Sequence, residues 1–176
     1  MKRKTPMQMS KGTRRCQKCG KRFLPQHKGR LEATCVFCGS KQQKPQTISR
    51  LKAIAWKLFS EIVRRSEADE KGHCKCVVCG WYGPWPMFHA GHVLKGRAKG
   101  ILFDRRCCHA ECAVCNKTEL RHDEYLLWAV EKYGKAAIDE MILAKWNGGS
   151  WTQAELLELI DGFRAELDEL REIQDF

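Results

Sequence analysis

The amino-acid sequence predicts a small α+β protein in which metal sites hold short β-hairpins together and helices flank them. Three observations predict this fold class. Eight of the eleven cysteines fall into four C-x2-C pairs, short apolar stretches alternate with turn-forming residues between residues 74 and 116, and apolar residues recur at helical spacing outside that segment. A chain of 176 residues suits one or two small domains rather than one large core.

The cysteine pairs predict two structural zinc sites. A tetrahedral zinc site takes four ligands, and two C-x2-C pairs supply four thiolates. Disulfides are disfavoured in the cytoplasm, where we expect this chain because it has neither a secretory signal nor an apolar run of about 18 residues. The predicted zinc ligands are Cys16, Cys19, Cys35 and Cys38 in the first site and Cys76, Cys79, Cys112 and Cys115 in the second.

Charge is distributed unevenly along the chain. The formal net charge is +11, and eight zinc-bound thiolates with two Zn²⁺ would lower it to about +7. Residues 1–50 hold fourteen Lys and Arg against one acid, whereas residues 152–176 hold eight acids against two Arg. A basic head predicts a polyanionic partner and an acidic tail predicts a different role, with solubility alone as the alternative explanation.

The N-terminal part is predicted to contain an arm, a zinc ribbon and a helix. Residues 1–13 are basic and lack apolar periodicity, which is typical of a mobile arm. Residues 14–40 contain the first cysteine set and too few apolar residues to fold without metal, so zinc would supply the folding energy. Residues 41–46 form a linker, and residues 47–70 hold a helix interpreted as a packing element rather than a functional surface. The ribbon residues predicted to contact phosphates of a polyanion, unless they are only solvated surface, are Arg14, Arg15, Lys21 and Arg22.

The rest of the chain divides into a central domain at 71–134 and C-terminal helices at 135–176. The central domain reads as a β-hairpin followed by a helix that opens at Asn116 and runs to about Tyr133. Two further helices are predicted, one over Ala136–Trp146 and one that starts with the capping box Thr152-Gln-Ala-Glu155. A heptad seam on the last helix either packs back on the protein or pairs with a second copy to form a homodimer; its residues are Leu156, Ile160, Phe163, Leu167 and Leu170.

Several polar residues of the central domain are not needed by the second zinc site. Asn116 follows the last cysteine directly, so a zinc ion would fix its position. A neutral imidazole such as His92 is suited to take a proton from water, and an oxygen or nitrogen ligand beside it could hold Mg²⁺ or Mn²⁺. This combination predicts metal-assisted hydrolysis of a phosphodiester. The candidate catalytic set is His89, His92, His109 and Asn116.

Two alternatives stay open on the residues alone. The central segment could be a purely structural zinc domain with incidental histidines. Either Cys74 or Cys107 could also replace Cys76 as a zinc ligand, because both are cysteines of the same segment.

The order of motifs resembles the lambdoid phage NinG (Rap) recombination endonucleases, which belong to the HNH, or ββα-metal, nuclease class. The motifs are Cys-Val-Val-Cys at 76–79, His-Ala-Gly-His at 89–92, Leu-Phe-Asp-Arg-Arg at 102–106 and His-Ala-Glu-Cys-Ala-Val-Cys-Asn at 109–116. The resemblance covers most of the chain and implies an HNH module in the central domain. It also implies a host-cell cytoplasmic enzyme that cleaves branched DNA such as D-loops or Holliday junctions.

The resemblance also assigns roles to individual residues. It implies that His92 is the general base, that Asn116 binds the catalytic Mg²⁺ or Mn²⁺, and that His109 contacts metal or phosphate. The middle asparagine of the motif falls at Cys107, which cannot make the same backbone-orienting hydrogen bonds. The residue before the base is commonly Asp but here is Gly91, so His89 becomes the substitute metal ligand.

Basic residues flank the candidate site and are predicted to hold DNA phosphates on either side of the cut, with a solvated basic loop as the alternative: Lys95, Arg97, Lys99, Arg105 and Arg106. A second hypothesis from a different class is a non-catalytic zinc protein that binds DNA junctions or recruits a partner through its acidic C-terminal helix. That protein would bind DNA in a salt-sensitive way without turnover.

Overall fold

The computed structural model describes residues 14–23, 32–43, 46–118 and 121–174. The chain forms two units, Met1–Gln46 and Thr47–Phe176. The basic arm predicted at 1–13 lies outside the described residues. Among the described residues, no helix is long and apolar enough to cross a membrane.

The described residues of the first unit form two short antiparallel strand pairs. β1 (Arg14–Arg15) pairs with β2 (Arg22–Phe23), and β3 (Glu32–Thr34) pairs with β4 (Lys41–Gln43). Each pair is closed by a cysteine knuckle, so the cysteines rather than a large apolar core bring the strands together. The start of the linker predicted at 41–46 is therefore wrong, because β4 pairs with β3 across the second knuckle.

Helix α1 (Ile48–Ser66) opens the second unit. The hydroxyl of Thr47 accepts a hydrogen bond from the backbone N–H of Arg50 at 3.3 Å, which caps the helix start. One face of α1 is buried at helical spacing, as the apolar periodicity predicts. The buried residues are Leu51, Ala55, Phe59, Ile62 and Val63.

Three short strands follow α1, then a short helix, a fourth strand and four further helices. The hairpin predicted in this segment is present, and a second, longer strand pair accompanies it. The elements are β5 (His73–Lys75), β6 (Tyr82–Pro84), a 3₁₀ turn (Trp85–Met87), β7 (Phe88–His92), α2 (Lys99–Leu102), β8 (Cys108–Cys112), α3 (Ala113–Thr118), α4 (His122–Tyr133), α5 (Lys135–Asn147) and α6 (Gln153–Gln174).

The β7–β8 pair lies between α1 and α4. Phe88 stands opposite Cys112 and His92 opposite Cys108, so the two strands run antiparallel along their full length. Phe59 of α1 is buried in one cluster with Ala90 of β7. On the other face, the hydroxyl of Tyr125 in α4 donates a hydrogen bond to the carbonyl of Gly91 at 2.8 Å. Both faces of this small sheet are therefore covered by helices.

Helix α3 begins earlier than predicted. The expected start at Asn116 is wrong, because α3 begins at Ala113, directly after β8. The sulfur of Cys112 accepts a hydrogen bond from the backbone N–H of Cys115 at 3.5 Å. This bond satisfies a free N–H group of the first turn, as a capping side chain would. The cysteine pair thus starts the helix, and Asn116 lies inside it.

The last helix packs on the first. Leu156 and Ile160 of α6 are buried in one cluster with Leu51 and Ala55 of α1. The capping box is confirmed by two hydrogen bonds. The carboxylate of Glu155 accepts one from the backbone N–H of Thr152 at 2.8 Å, and the backbone N–H of Glu155 donates one to the hydroxyl of Thr152 at 3.2 Å. Of the two alternatives for the heptad seam, the chain adopts the first, since the buried seam residues lie inside the protein. A homodimer stays a prediction.

Candidate metal centres and active site

The two predicted cysteine sets each converge on one point. The sulfur atoms of each set lie within 4.8 Å of one another. Zinc–sulfur bonds of about 2.3 Å in a tetrahedron place neighbouring sulfurs about 3.8 Å apart. The observed separations are 3.6 Å for Cys16–Cys38, 3.7 Å for Cys19–Cys35 and 3.8 Å for Cys79–Cys112. Both clusters therefore fit a four-sulfur zinc ion without an open position, which is the geometry of a structural site.

The choice between Cys74, Cys76 and Cys107 as ligand is settled by position. Cys76 belongs to the second cluster, and its sulfur accepts a hydrogen bond from the N–H of Cys112 at 3.3 Å. The thiol of Cys74 instead donates to the carbonyl of Arg64 at 3.0 Å, and burial raises its pKa to about 12. Burial also raises the pKa of the Cys107 thiol. These two cysteines are buried thiols and not zinc ligands.

A pocket of about 420 Å³ lies along the strand β7, between α1 and α3. It brings together three of the four candidate catalytic residues with two arginines and a tryptophan. Its lining is Trp56, Ser60 and Arg64 from α1, Phe88, His89, Ala90 and His92 from β7, Arg97 from the following loop, and Asn116 from α3.

His92 is held in one orientation and one tautomer. Its Nε2 lies 3.2 Å from the carbonyl oxygen of Leu102 and donates its proton there, because a carbonyl can only accept. The other nitrogen, Nδ1, is then the unprotonated one. The ring of Trp56 stacks on the imidazole with centroids 5.1 Å apart, and the guanidinium of Arg97 lies 4.5 Å from the Trp56 ring. Burial lowers the pKa of His92, so the neutral form dominates at neutral pH.

His89 and Asn116 form a pair at the other end of the pocket. Nδ2 of Asn116 lies 2.8 Å from Nδ1 of His89 and donates to it, which leaves the Oδ1 atom of Asn116 available as an oxygen ligand. A zinc ion in the second cysteine cluster would fix this side chain, because Asn116 is the residue after Cys115. Within the described ranges, only the two cysteine clusters bring three or more His, Cys, Asp or Glu groups together. A cation at this pair would therefore keep several waters, as Mg²⁺ prefers.

His109 does not line the pocket. It is 3% exposed, and its Nδ1 pairs with the carboxylate of Glu67, the residue that ends α1. Its Nε2 lies 3.0 Å from the hydroxyl of Tyr133 in α4. This network ties β8 to the helices on either side, so the geometry gives His109 a structural environment rather than access to a substrate.

Cys107, the position at which the resemblance implies an orienting asparagine, contacts the loop after β7. Its carbonyl accepts the N–H of Val93 at 2.8 Å, and the N–H of Leu94 bonds to the thiol and counteracts the rise of its pKa. Any residue at position 107 would offer this carbonyl, so the expectation about the cysteine side chain stays a prediction.

Three of the basic residues predicted to hold DNA are paired with acids of the C-terminal helices. Lys99 pairs with Glu155 at 2.6 Å, and Arg105 pairs with Glu166, both on α6. Arg106 pairs with Asp104 at 2.9 Å and with Glu140 of α5 at 3.0 Å. Arg97 lines the pocket, and Lys95 is an exposed residue two positions before it in the chain. In the ribbon Arg15, Lys21 and Arg22 are exposed, whereas one guanidinium nitrogen of Arg14 is buried without a hydrogen-bond partner.

Helix α1 contributes to the pocket, contrary to its interpretation as a packing helix only. Trp56, Ser60 and Arg64 stand four residues apart, so they share one face of the helix. Arg64 donates to the carbonyl of Phe88 at 3.3 Å, which anchors its guanidinium at the edge of β7. The four-residue spacing was the available signal, but it was hidden because Trp56 also widens the apolar stripe.

Comparison with known proteins places the chain in one family. A family model described as "Bacteriophage Lambda NinG protein" matches residues 38–173, which is most of the chain and includes the whole pocket. The first three cysteines of the ribbon precede the matched segment. No curated protein and no solved structure matches the chain. On the match over residues 38–173, this protein belongs to the bacteriophage lambda NinG family.

Proposed function

We propose that this protein is a divalent-metal-dependent endonuclease of the HNH type. Its substrate would be DNA phosphodiesters in branched recombination intermediates, such as D-loops and Holliday junctions, in the cytoplasm of a phage-infected host. Membership of the NinG family is compatible with a role in phage recombination. The single observation that carries the nuclease proposal is the oriented imidazole of His92 in the same pocket as the His89–Asn116 pair.

The geometry of His92 suits a general base. Because Nε2 donates to the carbonyl of Leu102, the lone pair of Nδ1 is available to take a proton from water. Burial lowers the pKa of the imidazole, so the base is neutral at pH 7 and ready to accept that proton. The carbonyl then faces the positive imidazolium that forms and stabilises it.

The arginines of the pocket suit a phosphate. Arg64 and Arg97 carry fixed positive charges into the same pocket, and guanidinium groups bind phosphate oxygens with two parallel hydrogen bonds. Although burial lowers the pKa of Arg64, arginine stays charged near neutral pH. A Mg²⁺ or Mn²⁺ ion at Asn116 would add charge stabilisation of the scissile phosphate and its leaving oxygen.

The order of elements supports the HNH assignment. His92 ends the first strand of the β7–β8 pair, and Asn116 lies on the helix that follows the second strand. A ββα module with its base on a strand and its metal ligand on the helix has this arrangement. The cysteine cluster beside Asn116 would hold that helix against the strands.

Cleavage of a labelled four-way junction, beside a linear duplex of the same sequence, tests the proposal. With Mg²⁺ or Mn²⁺ the wild-type protein should nick the junction, and His92→Ala should lose at least about a hundredfold in rate, since a general base contributes that much or more. Salt-dependent DNA binding should be retained by the variant, because His92 makes no phosphate contact in this proposal.

His122→Ala is the matched control, since this histidine lies at the start of α4 and does not line the pocket. It should cleave as the wild type does. Undiminished nicking by His92→Ala would remove His92 as the base. Tight binding without turnover in either metal would instead favour the non-catalytic junction-binding protein.

A further inference from the structure

Gly91 and Glu111 lie on one face of the β7–β8 pair and compete for the same space. A Cβ atom added to Gly91 would lie 1.9 Å from Oε2 of Glu111 and 3.0 Å from its Cδ. Contacts below 3.0 Å are not tolerated by real Cβ atoms, so the carboxylate of Glu111 fills the volume that a side chain at position 91 would occupy. The absence of a side chain at position 91 leaves room for a carboxylate that reaches this point from the neighbouring strand.

The surroundings of Glu111 make it more than a surface acid. It is 7% exposed, and it stands directly opposite His89 in the β7–β8 register. Opposite residues of antiparallel strands have Cβ atoms about 5 Å apart, so Glu111 and His89 are neighbours. Asn116 also contacts His89, with 2.8 Å between Nδ2 and Nδ1. Glu111 and Asn116 are therefore both neighbours of His89, the first across the strand pair and the second through a hydrogen bond.

The charge of the pocket lining also points to Glu111. The pocket beside His89 is lined by Arg64 and Arg97 and by no acidic residue of the described chain. Two fixed positive charges repel a divalent cation, and an imidazole and an amide oxygen add no negative charge to offset them, whereas Mg²⁺ and Mn²⁺ favour carboxylate oxygens. Glu111 is one strand away from this pocket and would bring the negative charge that the lining lacks.

We propose that Glu111 supplies the carboxylate ligand of the catalytic cation site, with Oδ1 of Asn116 as its partner. It takes the place of an acidic side chain on the residue before the base. The inference rests on the proposed nuclease function for the purpose of the cation, but it concerns the binding of the cation itself. Gly91 is then a specificity position, since any side chain there would displace the ligand.

Binding of Mn²⁺ to the zinc-loaded protein, followed by electron paramagnetic resonance of the free ion, measures the site without cleavage. Glu111→Gln keeps the shape of the side chain and removes its charge, and it should weaken Mn²⁺ binding by at least about tenfold. Glu67→Gln is the matched control, because Glu67 also lies against β8 but bonds to His109 and to the N–H of Ala110. Its Mn²⁺ affinity should equal that of the wild type.

A double variant tests whether a carboxylate at position 91 can replace the one at position 111. Gly91→Asp combined with Glu111→Ala puts a carboxylate on β7 into the volume that Glu111 vacates, and Mn²⁺ binding should return toward the wild-type value. Wild-type Mn²⁺ affinity in Glu111→Gln would overturn the inference, and so would a double variant as weak as Glu111→Ala alone. Two zinc ions per chain and an unchanged circular dichroism spectrum establish that each variant is folded.

The two proposals fail separately in these measurements. His92→Ala should bind Mn²⁺ normally, so loss of its cleavage reports on the base and not on the cation site. A wild-type protein that binds Mn²⁺ through Glu111 but cleaves nothing would contradict the nuclease function and leave the cation site standing. Cleavage that depends on His92, together with wild-type Mn²⁺ affinity in Glu111→Gln, would contradict only the role of Glu111.

Discussion

Burial sets the protonation state of His92, and this makes the proposed activity pH-dependent in a defined direction. Desolvation lowers the pKa of the imidazole below its ordinary value of 6.5, Arg97 lowers it further, and the bond to the Leu102 carbonyl opposes both. A general base acts in its neutral form, which is lost as the pH falls through the pKa of the folded protein. The midpoint of the acidic limb of the pH–rate profile should therefore lie below pH 6.5.

Replacement of Trp56 should shift the acidic limb of the pH–rate profile of cleavage. Trp56→Ala exposes the imidazole to water, so its pKa should return toward 6.5 and the limb of kcat/KM should shift to higher pH. Trp56→Phe keeps an aromatic ring on His92 and is the control, with a limb close to that of the wild type. Identical limbs in all three proteins would show that Trp56 does not contribute to the desolvation of His92.

Individual site residues were predictable from sequence to different degrees. Asn116 and His92 could be found because the cysteine pairs fix their neighbourhood and because few other roles suit them. His109 was grouped with them because a sequence does not show that Glu67, 42 residues away, bonds to it. Glu111 was missed for the same reason, since the contact with Gly91 exists only once β7 and β8 are paired.

At the level of elements, α6 holds the helix that carries one wall of the pocket. Leu156 and Ile160 are 0% and 2% exposed against α1. Acids of α6 also pair with Lys99 and Arg105, so the acidic tail neutralises bases of the central domain. The uneven charge of the sequence is thus partly resolved inside the second unit.

Truncation of the seam should destabilise the second unit. Ile160→Ala removes a buried side chain between α6 and α1 and should lower the free energy of unfolding by about 2–4 kcal/mol in urea. Leu157→Ala is the control, because Leu157 is 47% exposed on the same helix and its loss should cost less than about 0.5 kcal/mol. A seam that pairs two copies instead would show itself as a change of mass in light scattering with unchanged stability of the monomer.

Elements with local signals were predicted well, and elements that depend on metal geometry were not. Helix α6 begins where Thr152 and Glu155 form a capping box, which four residues encode on their own. The start of α3 depends on the sulfur of Cys112, whose position is fixed by a cluster that spans 76–115. Strand β4 likewise forms only because a knuckle turns the chain back onto β3.

For the whole molecule, the two cysteine clusters divide the stabilising work between the two units. One cluster lies within Met1–Gln46 and the other within Thr47–Phe176, so each unit carries its own four-cysteine cluster that could hold zinc. The number and spacing of the cysteines predicted this division without a structure, because two C-x2-C pairs make one site. What spacing could not give is the placement of the pocket against the second cluster, which follows from α3 starting at Ala113.

Substitution of one ligand in each cluster should separate the two units in a zinc and fluorescence experiment. All six tryptophans lie in Thr47–Phe176, so their emission reports on the second unit alone. Cys19→Ser should lower the zinc content from two ions to one per chain and leave tryptophan emission unchanged. Cys115→Ser should also leave one zinc ion but shift the emission to longer wavelength, because β8, α3 and the pocket lose their anchor.

The same pair of variants tests the link between zinc and the proposed site. Asn116 follows Cys115 directly, so Cys115→Ser should abolish Mn²⁺ binding, whereas Cys19→Ser should bind Mn²⁺ as the wild type does. Chelation of both zinc ions should reproduce the Cys115→Ser spectrum. Unchanged emission and Mn²⁺ affinity in Cys115→Ser would mean that apolar packing, and not the second cluster, holds α3 against β7.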